Sequence, residues 1–175
     1  MVTGGRKITL DDFDMTVGDT ELVAIHEVGH ACAALLAGVE FDRVGLGGGL
    51  WTSCAGDLRM KEFREVELAV RLGGPVAEIA EQQRRANSRI PLSQYFDFQR
   101  NNGWQADVPQ ALAALGPVEG SPEDELLRLI QEEADEFQSK LLDRCRAVVK
   151  DALGHGKLFV LPEQVRAILD SSNKV

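Results

Sequence analysis

Two histidines separated by three residues, with a glutamate directly after the first, form the part of the sequence best suited to chemistry. They lie within residues 24–31 and make the pattern H-E-x-x-H. Residues four apart on an α-helix share a face, so His26 and His30 could direct two imidazoles at one metal ion. Glu27 could then remove a proton from a water on that metal. This pattern is typical of zinc hydrolases.

A pattern of five residues also arises by chance, and two histidines on an amphipathic helix are often ordinary core or surface residues. The chain contains three histidines, and two of them have ligand spacing with the glutamate between them. We therefore predict a metal site on this helix, at the edge of the hydrophobic core.

A catalytic zinc usually has three protein ligands and one position for water, so a third ligand is needed. The candidates are Glu78, Asp97, Asp107 and His155. His155 lies between two glycines after a long helical stretch, and we expect it in an exposed loop. Asp97 lies in an irregular stretch and stays a candidate. Spacing alone does not decide between Glu78 and Asp107.

The elements that must position these residues are mainly helical. Five helices are predicted from the spacing of apolar residues, from N-terminal capping residues and from glycines that end a helix. They run from Asp19 or Thr20 to Gly38, over 60–83, over 104–116, from Ser121 to Gly154, and over 162–169. Within the second helix, residues 73–75 (Gly-Gly-Pro) would normally end the helix. They could instead mark a kink, or a place where two backbones pack closely.

Two stretches have a different character. Residues 39–56 predict two short strands around a glycine turn, and residues 84–103 predict a loop. An extended peptide could pair with the edge of such a strand, or the hairpin could serve only to cover the core. The predicted fold class is mainly α with a small β-hairpin or short sheet.

The chain has 175 residues, which suits one domain over 19–175 after a flexible lead-in at 1–18. A net charge of -9 argues against nucleic acid or an anionic membrane as a main partner. The three widely separated cysteines indicate reduced thiols. No apolar stretch resembles a signal peptide or a membrane span, so we expect a soluble cytoplasmic protein.

Three motifs, in order, resemble the peptidase domain of the FtsH family of ATP-dependent zinc metalloproteases. Residues 26–31, 72–78 and 107–111 correspond to the family patterns H-E-A-G-H-A, L-G-G-R-A-A-E-E and D-L-x-x-A-T. The resemblance covers most of residues 20–170 and implies a zincin-like helical metallopeptidase domain.

The resemblance also implies roles for individual residues. His26, His30 and Asp107 would bind Zn2+, and Glu27 would be the general base. Glu78 would lie behind the ligands or in helix packing. The glycine pair would let the second helix approach the first directly behind the metal.

The chain departs from the family in ways that bear on function. Val28 and Pro75 replace the family's alanine and arginine, and the sequence has no G-x-x-x-x-G-K-[ST] phosphate loop. We therefore expect ATP-independent hydrolysis of peptides or unfolded polypeptides, or action with a separate ATPase partner; an oligomer is compatible with the sequence.

Two other functions remain as alternatives. One is a zinc-binding regulatory or adaptor domain that keeps the fold but has no productive cleft. The other is a structural zinc site closed by a fourth ligand, which Asp97 or Glu78 would supply together with Asp107.

Overall fold

A computed structural model describes residues 19–46 and 62–170 of the chain. The elements in chain order are α1 (Thr20–Leu36), β1 (Val44–Gly45), α2 (Glu62–Ala86), α3 (Leu92–Gln99), α4 (Asp107–Leu115), α5 (Pro122–Lys140), α6 (Leu142–Gly154), β2 (Phe159–Val160) and α7 (Pro162–Asp170). The architecture is mainly helical with a small antiparallel sheet, which confirms the coarse fold class predicted from the sequence. The lead-in at 1–18 lies outside the described residues.

Helix α1 begins at a side-chain cap and is buried over most of its length. Asp19 is the N-cap, and its Oδ1 accepts a hydrogen bond from the Leu22 N–H at 3.0 Å. The cap confirms the predicted start of the helix, because an Asp at this position satisfies an amide group that has no partner inside the helix. The helix ends at Leu36, followed by Gly38 with a φ of +77°.

Helix α2 continues through the Gly-Gly-Pro stretch, so these residues do not end the helix. Glycines on both helices let the backbones of α1 and α2 touch. A Cβ on Gly29 would lie 2.3 Å from the Gly73 carbonyl oxygen, and a Cβ on Gly73 would lie 2.6 Å from the Gly29 carbonyl oxygen. The expectation of close backbone packing at the glycines is therefore confirmed.

The prediction of a loop over residues 84–103 is wrong at its start, where residues 84–86 belong to α2, and in its middle part, which forms α3. The cap residue, Pro91, has no side chain that can accept a hydrogen bond from the helix, so the usual start signal is missing. Tyr95, Phe96 and Gln99 are buried on one side of this helix. Tertiary packing of these side chains therefore stabilises a helix that local propensity does not indicate.

The predicted helix from Ser121 to Gly154 begins where expected, with the Ser121 hydroxyl accepting from the Asp124 N–H at 3.3 Å. It is interrupted at Leu141, where φ is -121°, so α5 and α6 are separate helices. The Arg144 guanidinium donates to the Lys140 carbonyl, which the Arg144 N–H would bond in a regular helix. A side chain inserted into the hydrogen-bond ladder is a known cause of such a kink.

The sheet joins parts of the chain that are distant in sequence. Val44 pairs with Val160 and Gly45 with Phe159, in antiparallel register. The strand before the glycine turn is thus confirmed, but its observed partner is β2. The second strand of the predicted hairpin, near residues 50–54, lies outside the described residues.

The core lies between α1, α2 and the later helices. Helix α2 packs against α1, α4 and α5, while α6 and α7 also pack against α1. Cys32 and Cys145 are free and buried within this core, as expected for reduced thiols; Cys54 lies outside the described residues. Within 19–46 and 62–170, no helix is both long and apolar enough to cross a membrane.

Candidate metal centre

Three buried side chains from two helices meet at one place in the fold. His26 and His30 project from α1, one helical turn apart, and Asp107 is the first residue of α4. The three side chains could hold a metal ion, since one potential ligand atom from each lies within 4.8 Å of the others. Their residues are only 4–8% exposed. Helix α2 lies between α1 and α4 in the packing and brings the two together.

The distances between these side chains suit a small metal ion. The two histidine Nε2 atoms are 3.1 Å apart, and Asp107 carboxylate oxygens lie 3.3 Å from His26 Nε2 and 3.4 Å from His30 Nε2. Ligand atoms of a tetrahedral zinc with bonds of 2.0–2.1 Å are separated by about 3.3 Å. The three residues therefore fit a zinc-sized ion without rearrangement of the helices.

Gly74 of α2 leaves space beside the two imidazoles. A Cβ at this position would lie 2.3 Å from His30 Nε2 and 2.5 Å from His26 Nε2. It would also lie 2.6 Å from His30 Cδ2, so a side chain here would clash with the two imidazole rings. Gly74 thus leaves room for the two histidine rings, while Gly73 lets the helices pack closely.

Hydrogen bonds on the far side of each imidazole fix its orientation. His26 Nδ1 lies 2.8 Å from Glu78 Oε2, and His30 Nδ1 lies 2.6 Å from the Val70 carbonyl oxygen. Both of these oxygens accept, so each Nδ1 carries the proton and donates it. Each Nε2 then faces Asp107 and is the nitrogen that could bind a metal ion once it has lost its own proton.

The histidines and the carboxylates of this group stabilise each other's charged forms. Burial alone would lower the pKa of His26, but hydrogen bonds to Asp107 and Glu78 and their negative charges outweigh it and raise that pKa. Burial alone would raise the pKa of Asp107, but the two histidines hold it well below its usual range. Asp107 is therefore a carboxylate, the form that binds cations.

The four candidates for the third ligand lie in different surroundings. Asp107 faces the two Nε2 atoms, whereas Glu78 contacts the opposite edge of the His26 ring. Asp97 is exposed and lies 3.9 Å from Arg100. His155 is exposed after α6, as expected, and its Nδ1 lies 2.8 Å from the Asp151 carbonyl oxygen. Among the described residues, the group that could hold a metal ion thus has three members and includes neither Glu78 nor Asp97.

Glu27, the predicted general base, is buried beside His26 in α1, at 7% exposure. Its carboxylate is therefore largely shielded from bulk solvent.

Glu78 itself is surrounded by donors that the sequence reading did not identify. They are the Tyr95 hydroxyl, the Gln99 amide and the Trp104 indole N–H. Burial, followed by the negative charge of Glu78, raises the pKa of Tyr95 well above its usual range, so its hydroxyl stays protonated. The spacing of Tyr95 and Gln99, four residues apart, is the one sequence signal that could have indicated a shared helix face.

No family model matches this chain, and no curated protein matches it either. The resemblance to the FtsH peptidase domain therefore stays a prediction based on three motifs.

Proposed function

We propose that this chain is a zinc-dependent metallopeptidase of the H-E-x-x-H type, which hydrolyses peptide bonds in peptides or unfolded proteins. The observation that carries the proposal is the buried group of His26, His30 and Asp107, whose two imidazoles have room because residue 74 is glycine. Two histidines and one carboxylate are a donor set of hydrolytic zinc sites that keep a position open for water. Glu27, next to His26 on the same helix, would be the catalytic carboxylate.

The proposed chemistry divides between the ion and the protein. A bound zinc supplies Lewis-acid chemistry, because it makes water more acidic and polarises a carbonyl group. Glu27 would accept the proton of the attacking water and deliver a proton to the leaving amine. His26 and His30 would hold their Nε2 lone pairs toward the ion through their hydrogen bonds to Glu78 and Val70.

The motif order supports a zincin-like domain related to FtsH peptidases as part of this proposal. The two glycines of the L-G-G part of the second motif have a physical explanation. Gly73 contacts Gly29 closely, and Gly74 leaves room for the two imidazoles. Since the sequence has no phosphate loop, the proposed substrates are peptides and unfolded chains, or proteins delivered by a separate ATPase.

The test uses Glu27→Gln, which keeps the size of the side chain but removes its basicity. Zinc content and cleavage of casein, an unfolded substrate, are measured for the natural chain and the variant. We expect both proteins to bind one zinc, and the variant to lose casein cleavage by roughly 100-fold or more, as loss of general base catalysis implies. Circular dichroism checks that both proteins are folded.

His155→Gln is the matched control, because His155 is exposed and distant from the metal-binding group. It should keep both zinc and cleavage. Undiminished cleavage by Glu27→Gln would contradict the proposed role of Glu27. Zinc binding by the natural chain with no cleavage of casein would contradict the peptidase assignment.

One observation favours a second candidate, a zinc-binding regulatory or adaptor domain. Glu27 and the three metal-binding residues are each less than a tenth exposed, so little of this centre faces solvent in the described part of the chain. The same casein assay distinguishes the two functions, since the adaptor binds zinc without cleaving.

A further inference from the structure

The Glu78 carboxylate is buried and accepts four hydrogen bonds. Its Oε1 accepts from the Tyr95 hydroxyl at 2.5 Å and from the Gln99 amide at 2.7 Å. Its Oε2 accepts from the Trp104 indole N–H at 2.9 Å and from His26 Nδ1 at 2.8 Å. A carboxylate offers about four lone-pair positions, so these donors use its whole accepting capacity.

Three of the four donors come from one short segment of the chain, α3 and the turn after it. Tyr95 and Gln99 lie one helical turn apart on the same face of α3. Trp104 is tied to this helix by its backbone N–H, which donates to the Gln99 carbonyl at 2.8 Å. The aromatic rings of Tyr95 and Phe96 pack against the Trp104 indole. The donors therefore form a packed unit.

The hydrogen bonds from Tyr95, Gln99 and Trp104 fix the orientation of the Glu78 carboxylate. A buried carboxylate that loses a donor is costly, because nothing replaces the hydration it gave up. With both lone pairs of Oε1 occupied and one lone pair of Oε2 held by Trp104, the remaining lone pair points at His26 Nδ1. The orientation of the His26 imidazole thus depends on contacts that lie on the far side of Glu78.

We propose that Tyr95, Gln99 and Trp104 are positioning residues that act through Glu78 to hold the His26 ring in the orientation that binds the metal ion. The inference rests on the metal site of the proposed function, but not on peptidase activity. Helix α3, which the sequence does not indicate, is thereby a functional part of the metal centre.

The cleanest test is Tyr95→Phe, because it removes one hydroxyl and keeps the aromatic packing. Zinc affinity is measured by competition with a chromophoric chelator. We expect a loss of about threefold to tenfold, below the roughly 10–100-fold that loss of a ligand's direct partner causes. Glu78→Gln, which changes that direct partner, should fall within the larger range.

A double-mutant cycle separates positioning from a general structural effect. If Tyr95 acts through Glu78, then Tyr95→Phe should cause no further loss of zinc affinity in the Glu78→Gln background. A merely structural role would give the same loss in both backgrounds. Asn102→Ala is the matched control: it removes an exposed hydrogen bond to the Phe98 carbonyl in the same segment and should leave zinc affinity unchanged.

Trp104 provides a second readout that does not depend on activity. Trp104 and His26 donate to the same oxygen of Glu78, so zinc binding at His26 should change the indole emission. The measurement uses a Trp51→Phe background, so that Trp104 is the sole tryptophan that emits. The emission change on zinc binding should disappear when Glu78→Gln is saturated with zinc.

Unchanged zinc affinity in Tyr95→Phe, or an additive loss in the double mutant, would overturn the positioning role while leaving the metal site intact. A natural chain that binds no zinc would overturn the metal site and this inference together. Zinc binding without casein cleavage would contradict the peptidase proposal alone.

Discussion

At Gly74 the absence of a side chain gives the two histidine rings the room they occupy. The nearest atoms to a Cβ at this position are the Nε2 atoms of His30 and His26, at 2.3 and 2.5 Å. Contacts below 3.0 Å do not occur for real Cβ atoms, so one of the imidazoles would have to move. Either movement removes a ligand atom from the metal position.

We therefore predict that Gly74→Ala loses zinc. The expected decrease in affinity exceeds the roughly 10–100-fold that changes outside the ligand shell cause, because the methyl group displaces one of the ligands themselves. Chelator competition measures the affinity, and circular dichroism establishes that the helices remain.

Gly154→Ala makes the same substitution at the end of α6, where a Cβ would meet no atom within 4 Å. This control should bind zinc like the natural chain. A folded Gly74→Ala protein with unchanged zinc affinity would show that His26 and His30 are not the zinc ligands, or that the methyl group moves neither ring.

Individual site residues differ in how far the sequence could indicate them. His26, Glu27 and His30 are visible because their spacing matches one helix face. Asp107 lies 77 residues after His30. Only the family resemblance indicated Asp107, and not Glu78, as the third ligand. Around Glu78, the spacing of Tyr95 and Gln99 could indicate only a shared helix face, because tertiary contacts bring α3 to α2.

At the level of elements, the contact between α1 and α2 depends on two glycines that face each other. A Cβ on Gly73 would lie 2.6 Å from the Gly29 carbonyl oxygen and 2.7 Å from the Ala33 Cβ. These are backbone and short side-chain atoms, so neither can rotate away. The helices would have to separate.

We predict that Gly73→Ala destabilises the protein by about 1–3 kcal/mol, the usual cost of an extra methyl group in a packed interior. The free energy of unfolding is measured by urea titration without added metal. Gly154→Ala is again the control, and we expect it to be neutral or slightly stabilising, because alanine favours a helix over glycine. A loss no larger than that of the control would contradict the close packing.

The elements that the sequence predicted well are those with local signals. Asp19 and Ser121 each cap a helix, and Gly116 ends one with a φ of +73°. The sequence does not indicate the kink at Leu141. The Leu141 N–H still bonds the Phe137 carbonyl and the Cys145 N–H still bonds the Leu141 carbonyl, so the apolar residues keep their helical spacing. The Arg144 side chain that causes it acts through a contact that periodicity does not encode.

At the level of the whole molecule, a buried carboxylate joins three helices. Glu81 of α2 is fully buried and accepts hydrogen bonds from Arg84 and Arg85 at 2.8 Å. Arg85 also pairs with Asp19 at the start of α1, and the Arg146 guanidinium of α6 lies 3.3 Å from Glu81. Charges thus link the end of α2 to α1 and α6.

Acid should weaken this linkage. Burial alone would raise the pKa of Glu81, but hydrogen bonds from Arg84 and Arg85 outweigh it and lower the pKa below its ordinary value of 4.5. The pKa of Asp19 is lowered from 3.8 in the same way: burial alone would raise it, but Arg85 outweighs burial. A carboxylate with a lower pKa in the folded state stabilises it above the unfolded pKa. That contribution is lost as the pH falls below 4.5 and through the folded pKa.

The prediction is tested with Glu81→Gln, which leaves the arginines without their central charge. At pH 7 we expect a loss of about 2–3 kcal/mol, below the roughly 3–5 kcal/mol of a fully buried pair, because the arginines still contact water. Urea titrations at several pH values compare the variant with the natural chain, so that the titration of other carboxylates cancels.

The difference in stability should shrink as the pH falls below 4.5, because protonation of Glu81 in the natural chain has the same effect as the substitution. Glu125→Gln, which removes an exposed carboxylate paired with Arg128, should cost much less at every pH. A difference between the Glu81 variant and the natural chain that is the same at pH 7 and at pH 3.5 would mean that Glu81 acts through its shape and not through its charge.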